Sequence, residues 1–257
     1  MRFFQICLLA LCLMACQPEQ YTLHLIGDST MANKLNPATN PERGWGQVLP
    51  EYFTDQVEVI NHAVNGRSSK SFYTLGHWAK VDVQLQAGDY LLIQFAHNDG
   101  KMTDSVRFTN PYTGYRAYLN FYINEARKKG AIPVLLTSVT RRKFNKQGSL
   151  IDTHAPYTEV MRTIAREQKV DLVDMQMLSE AAIKNLGKEP SKAMYLWYEV
   201  GEHPYYPEGI TDNTHFSVAG AHLMVKLALS GLAAYDFPFL KALNQPLPEP
   251  QIIIGKI

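Results

Sequence analysis

The chain has 257 residues, 46% hydrophobic and 11% aromatic, which is enough to bury a substantial core and excludes a disordered protein. Its 25 Lys and Arg against 24 Asp and Glu give a formal charge of +1, which argues against nucleic acid as a partner. All three cysteines, Cys7, Cys12 and Cys16, lie in the first 16 residues, so no disulfide framework holds the rest and stability has to come from packing.

Residues 1–15 read as a signal peptide: Arg2 precedes a mostly apolar run from Phe3 to Met14, shorter than the roughly 20 residues that span a bilayer. Leu13-Met14-Ala15-Cys16 looks like a bacterial lipoprotein box, with Cys16 as the lipidated N-terminus. The expected organisation is then a short tether over 16–20, one domain over 21–243 and a Pro-rich, then Ile-rich tail over 244–257. The expected address is that of an exported bacterial lipoprotein, held on a membrane only through its lipid.

The apolar run Leu23–Ile26 stops at Gly27-Asp28-Ser29 and predicts a buried strand that delivers a small polar side chain to its C-terminal end. In open α/β sheets that edge binds ligands. Ser29 taken alone reads equally as a helix N-cap. Trp45, Val48, Leu49, Tyr52 and Phe53 recur at helical spacing. Val57–Ala63 predicts a second strand ending in the turn Asn65-Gly66. His77–Leu85 reads as a helix stopped near Gly88, and Tyr90–Ala96 as a third strand halted by His97-Asn98-Asp99-Gly100. Residues 112–129 form a further helix, closed by Arg127-Lys128-Lys129-Gly130. Strands at Ile132–Val139 and Val170–Met175 enclose a helix over Pro156–Gln168. This alternation predicts a parallel sheet with helices on both faces. Gly187–Gly209 reads as a long irregular loop carrying Tyr195, Trp197, Tyr198, Tyr205 and Tyr206, ahead of Thr211–Ser217 and a last helix through Val225 and Leu229.

Asp212 and His215 are three residues apart just before that helix, so one turn of chain would bring carboxylate and imidazole together. A base held by an acid is what a serine hydroxyl needs, because it must lose its proton as it attacks. The plainer reading is a capping Asp212 or Thr214 beside a surface histidine. No Gly-x-Ser-x-Gly elbow and no His-Glu-x-x-His occurs, and His62 and His97 read as packing or supporting residues, so neither metal nor cofactor is expected.

Four blocks in order, Gly27-Asp28-Ser29, Asn65-Gly66-Arg67-Ser68-Ser69, His97-Asn98-Asp99 and Asp212-Asn213-Thr214-His215, resemble those of the SGNH (GDSL-type) hydrolases, and within them the rhamnogalacturonan acetylesterase-like branch. The resemblance runs from about residue 21 to about 235. It implies a flavodoxin-like three-layer α/β/α fold with a five-stranded parallel sheet. It makes Ser29 the nucleophile, His215 the general base and Asp212 its orienting acid, with an oxyanion hole from the N–H groups of Ser29 and Gly66 and the amide of Asn98. Two departures are Thr30, where many relatives have leucine, and Ala96, where glycine is expected.

The reaction implied is removal of O-acetyl groups from a plant cell-wall glycan, an acetylated polysaccharide or oligosaccharide of the pectin type. Arg67, Lys70, Lys101 and Arg141-Arg142-Lys143 fall near strand ends, where cations meet uronate carboxylates. Trp197 and Tyr205 are candidate sugar-stacking residues. The alternatives are a lipid esterase or thioesterase, which needs a wide apolar pocket, and a non-catalytic glycan-binding lipoprotein.

Overall fold

A computed structural model describes residues 19–246. The signal-peptide reading, the lipidation site Cys16 and residues 247–257 of the tail lie outside the described residues.

Five strands, β1 (Tyr21–Gly27), β3 (Val57–Asn61), β4 (Tyr90–Gln94), β5 (Ile132–Leu136) and β6 (Asp171–Val173), form one parallel sheet in the order β3-β1-β4-β5-β6. Counting only these strands the order is 2-1-3-4-5, the flavodoxin-like doubly wound arrangement, whose switch point falls between β1 and β4. Side chains alternate across the sheet with a period of two. Leu23, Leu25, Leu92, Val134 and Leu136 enter one core, beneath α1 (Trp45–Val48), α6 (Met175–Leu186) and α7 (Val218–Leu232). Ile26, Leu91, Ile93 and Leu135 enter the other, beneath α2 (Ser69–Thr74), α3 (His77–Asp82), α4 (Arg116–Lys128) and α5 (Ala155–Gln168). The three central strands, β1, β4 and β5, are buried on both faces over most of their length, which is why they read as apolar runs, whereas the edge strands β3 and β6 are only partly covered.

Three elements differ from the sequence reading. The segment Trp45–Phe53 makes one α-turn and then a 3-10 turn over Leu49–Tyr52, because Pro50 cannot donate to a continuing helix. Met175 begins α6 instead of ending a strand, with Asp174 capping it through Met177 N. The stretch from Gly187 onward is more ordered than a loop: a 3-10 turn over Pro190–Met194 leads into β7 (Tyr195–Tyr198), which pairs antiparallel with β8 (Ile210–Ser217). With β2 (Glu42–Arg43) these form a second, three-stranded sheet in the order β2-β8-β7. Among the described residues no helix is long and apolar enough to cross a membrane.

Candidate active site

The C-terminal ends of β1, β3 and β4 present three of the four sequence blocks to one cleft of about 590 Å³, lined by Ser29, Glu42, Asn65, Gly66, His97, Asn98, Lys101, Arg141, Thr214 and His215. Close packing fixes how β1 delivers Ser29. A Cβ on Gly27 would lie 2.8 Å from the Gln94 carbonyl oxygen, so only glycine lets the chain turn here against β4. Asp28 turns inward and its Oδ1 accepts from Thr30 N (3.0 Å) and Thr30 Oγ1 (2.8 Å). Thr30 thus gives the buried carboxylate two donors that a leucine side chain could not both supply. Burial raises the Asp28 pKa, against the lowering influence of Thr30, His215 and Lys34.

The fourth block arrives from the small sheet. The single turn of chain expected to join Asp212 and His215 is instead an interrupted strand. Phe216 pairs with Tyr195 and Asp212 with the next residue, Leu196, so residues 213–215 bulge out of the ladder. Asp212 Oδ1 holds the bulge by accepting from Thr214 N (2.6 Å) and His215 N (3.0 Å). Its Oδ2 faces His215 Nδ1 at 2.7 Å, and His215 Nε2 lies 2.8 Å from Ser29 Oγ. Burial opposes ionisation of Asp212, but the hydrogen bonds and charge of His215 and the N–H of Thr214 outweigh it and hold the carboxyl below its ordinary value. Ser29 is 9% exposed, at the floor of the cleft.

Gly66 sits at φ +73°, in the region that favours glycine. The Asn98 amide gives one N–H to Arg67 O (3.0 Å), which leaves its second N–H for the cleft. Ala96, the departure from glycine, is held at φ +157°, an uncommon conformation for an L-residue immediately before His97.

The four tentative substrate residues separate. Arg141 lines the cleft, its Nε and Nη2 bonded to His97 Nδ1 (3.3 Å) and His97 O (3.0 Å), so His97 holds its guanidinium in place. Arg67 does not line it: its Nε meets His77 Nε2 at 3.0 Å, and its contribution is the carbonyl that orients Asn98. Trp197 also lies outside, donating Nε1 to Asn213 Oδ1 (3.0 Å) under the Arg142 guanidinium, 4.8 Å above its ring. Arg142, 4% exposed, bonds the same Oδ1 at 3.0 Å. These two residues brace the Asp212–His215 bulge. Tyr205 packs on Tyr206 in the turn beyond β7, 40% exposed, and is not among the residues that line the cleft.

Lys34 carries no signal in the sequence, yet its buried Nζ donates to Ser29 O (2.6 Å) and Asn65 Oδ1 (2.7 Å) and pairs with Glu42 Oε1 (2.8 Å). One ammonium therefore ties the Ser29 turn, the Gly66 loop and β2 together. His62 meets His24 at 3.0 Å, on the ring nitrogen opposite the one that faces Asp89, and lies outside the cleft. Among the described residues no three His, Cys, Asp or Glu side chains are grouped as metal ligands would be.

A hydroxyl, an imidazole and a carboxylate in line at the switch point of a parallel sheet, with no nucleophile elbow, define a serine hydrolase of the flavodoxin-like type. Residues 25–223 match the model of the GDSL-like Lipase/Acylhydrolase family, and the chain belongs to that family. It is similar to rhamnogalacturonan acetylesterase RhgT of Bacillus subtilis strain 168, 40% identical over 214 residues, 83% of this chain and 90% of that one. A rhamnogalacturonan acetylesterase of Emericella nidulans is 30% identical over 239 residues, 84% and 88% of the two chains. Among solved structures, the acetylxylan esterase Axe2 of Geobacillus stearothermophilus superposes with a TM-score of 0.60 at 19% identity, covering 86% of this chain and 97% of that one, a likeness of fold.

Proposed function

We propose that this protein is a serine esterase that removes O-acetyl groups from an acidic plant cell-wall glycan of the rhamnogalacturonan type, through an acetyl-enzyme on Ser29. The observation that carries the mechanism is the unbroken line Ser29 Oγ, His215, Asp212, with contacts of 2.8 and 2.7 Å. Ser29 Oγ attacks the acetyl carbonyl as His215 Nε2 takes its proton, while Asp212 holds the proton on Nδ1 and with it the productive tautomer. The Ser29 and Gly66 N–H groups and Asn98 Nδ2 receive the developing oxyanion; such preorganised donors are worth most in a site that excludes water. His215 then returns the proton to the departing sugar hydroxyl, and in the second half activates the water that releases acetate.

The lining of the cleft favours a glycan over a lipid. Glu42, Asn65, His97, Asn98, Lys101 and Arg141 surround Ser29 with no aliphatic side chain among them, whereas an acyl chain requires an apolar wall. The Arg141 guanidinium, anchored on His97 in the cleft wall, suits a uronate carboxylate. The similarity to two proteins named as rhamnogalacturonan acetylesterases supports the same substrate class. Acetate release should be measured on acetylated rhamnogalacturonan, acetylated xylan and a long-chain ester; preference for the long-chain ester would overturn the reading. Anchoring through a lipid on Cys16 is part of this proposal, and Cys16→Ser is expected to move the protein from the membrane to the soluble fraction.

A further inference from the structure

The cleft does not end at the catalytic line. Lys101 lines it and also lines a second hollow of about 710 Å³, formed by Gly100, Lys101, Met102, Thr103, Asp104, Ser105 and Arg107. Both volumes fall in the ~300–1,000 Å³ range of ligand sites. The two spaces also meet on their other side: a Cβ on Gly66, in the catalytic cleft, would lie 3.8 Å from Arg107 Nη1.

The loop around the second hollow is built. Lys101 N donates to Asn98 O (3.2 Å), Phe108 N to Asp104 O (2.7 Å) and Thr109 N to Asp99 O (3.1 Å). Lys70 Nζ reaches across to Ser105 O at 2.7 Å. Asp104, the acidic residue in the lining, is occupied within its own loop: Oδ1 accepts from Val106 N and Arg107 N, both at 3.1 Å, and Oδ2 from the Arg107 guanidinium at 2.5 Å. The Lys101 side-chain ammonium, by contrast, has no hydrogen-bonding or ion-pair partner among the described residues. Burial, then Arg107, then Arg141 lower the Lys101 pKa, against the raising influence of Asp104 and Asp28. An unpaired ammonium beside the free Nη1 of Arg107, whose Nε and Nη2 face Asp104, attracts an anion that enters the groove. Met102, 79% exposed, adds an apolar contact for a sugar face at the rim.

We propose that the hollow within residues 100–107 is a second saccharide subsite, continuous with the catalytic cleft, that receives the carboxylate of a neighbouring uronate on Lys101 and Arg107. The proposal rests on the acidic-glycan reading above and adds that the enzyme engages more than the acetylated sugar. A chain that fills both spaces gains binding energy remote from the reacting ester, which raises kcat/KM for long substrates over short ones.

The test is the ratio of kcat/KM on acetylated rhamnogalacturonan oligosaccharides to kcat/KM on a small acetyl ester, for wild type, Lys101→Gln, Arg107→Gln and Arg107→Lys. The wild-type ratio is expected to rise with oligosaccharide length. Each glutamine variant should lower it about three- to tenfold, the scale of one partly exposed charge-assisted contact. Arg107→Lys should recover most of the loss, which a disrupted loop would not. On carboxyl-reduced oligosaccharides the gap between wild type and Arg107→Gln should close. A wild-type ratio in the glutamine variants, or the same loss on the reduced substrate, overturns the subsite. No acetate from any acidic glycan with wild-type protein, while the small ester is still cleaved, overturns the substrate reading and the subsite with it.

Discussion

Asp99 offers a test of the site's foundations that does not depend on turnover. Its carboxylate is fully buried behind the Gly66 and Asn98 loops, where Oδ1 accepts from Ser69 N (3.1 Å), Ser69 Oγ (2.5 Å) and Thr109 Oγ1 (2.9 Å). Burial pushes its pKa up to about 7 against the lowering effect of those donors, and the charge of Asp28 adds to the rise. The folded pKa thus lies about 3 units above the ordinary carboxyl value, or about 4 kcal/mol at 1.36 kcal/mol per unit. The sign follows from proton linkage. Between about pH 4 and 7 the folded state holds a proton that the unfolded chain has lost, so this group's contribution to stability falls as pH rises through that window and is flat above it. Half-buried His62 and buried His154 work in the opposite sense. Burial lowers them to about 4 and about 3, so their contribution is lost as pH falls below the ordinary imidazole value. Comparing wild type with Asp99→Asn cancels the histidines. Urea unfolding of both at pH 5 and pH 8 should show the variant gaining relative stability with pH, by about 2.6 kcal/mol, since only the roughly two pH units between pH 5 and a pKa of about 7 fall inside that range. Parallel pH dependence in the two proteins would show that Asp99 does not titrate near neutrality and that its surroundings are more polar than described.

Asn98→Ala is expected to lower kcat by about 10²–10³ with a smaller change in KM, the usual cost of one preorganised oxyanion donor; unchanged kcat on the acetylated glycan would leave Asn98 only a turn residue. Lys34→Met breaks a buried ion pair and two hydrogen bonds to the site, so it should cost roughly 3 kcal/mol in unfolding free energy and reduce kcat more than it raises KM. Full activity in a destabilised Lys34→Met protein would confine Lys34 to a structural role.

The large sheet was legible because its central parallel strands, buried on both faces, must be apolar nearly throughout, and the polar clusters at the strand ends marked the cleft. Ser29, Gly66 and Asn98 stand where those strand ends place them. The small sheet was not legible. Its β2 has two residues, and Asp212 and His215 face each other across a bulge that only pairing with Tyr195 and Leu196 creates. Charge was a poor guide to direction as well. Arg141 and Arg142 are adjacent in sequence, but one enters the cleft while the other is buried against Trp197 and Asn213, a difference set by tertiary contacts. Lys34 was invisible because its partners come from three separate segments.

The central claim is that Ser29 and His215 act as one unit in acyl transfer, and its most direct test is acetate release from acetylated rhamnogalacturonan by Ser29→Ala, His215→Ala and the double variant. Each single replacement should reduce kcat by several orders of magnitude, and the double variant should be hardly worse than either, because groups that act together are strongly non-additive. Near-wild-type turnover by Ser29→Ala, or losses that simply multiply in the double variant, would contradict the account.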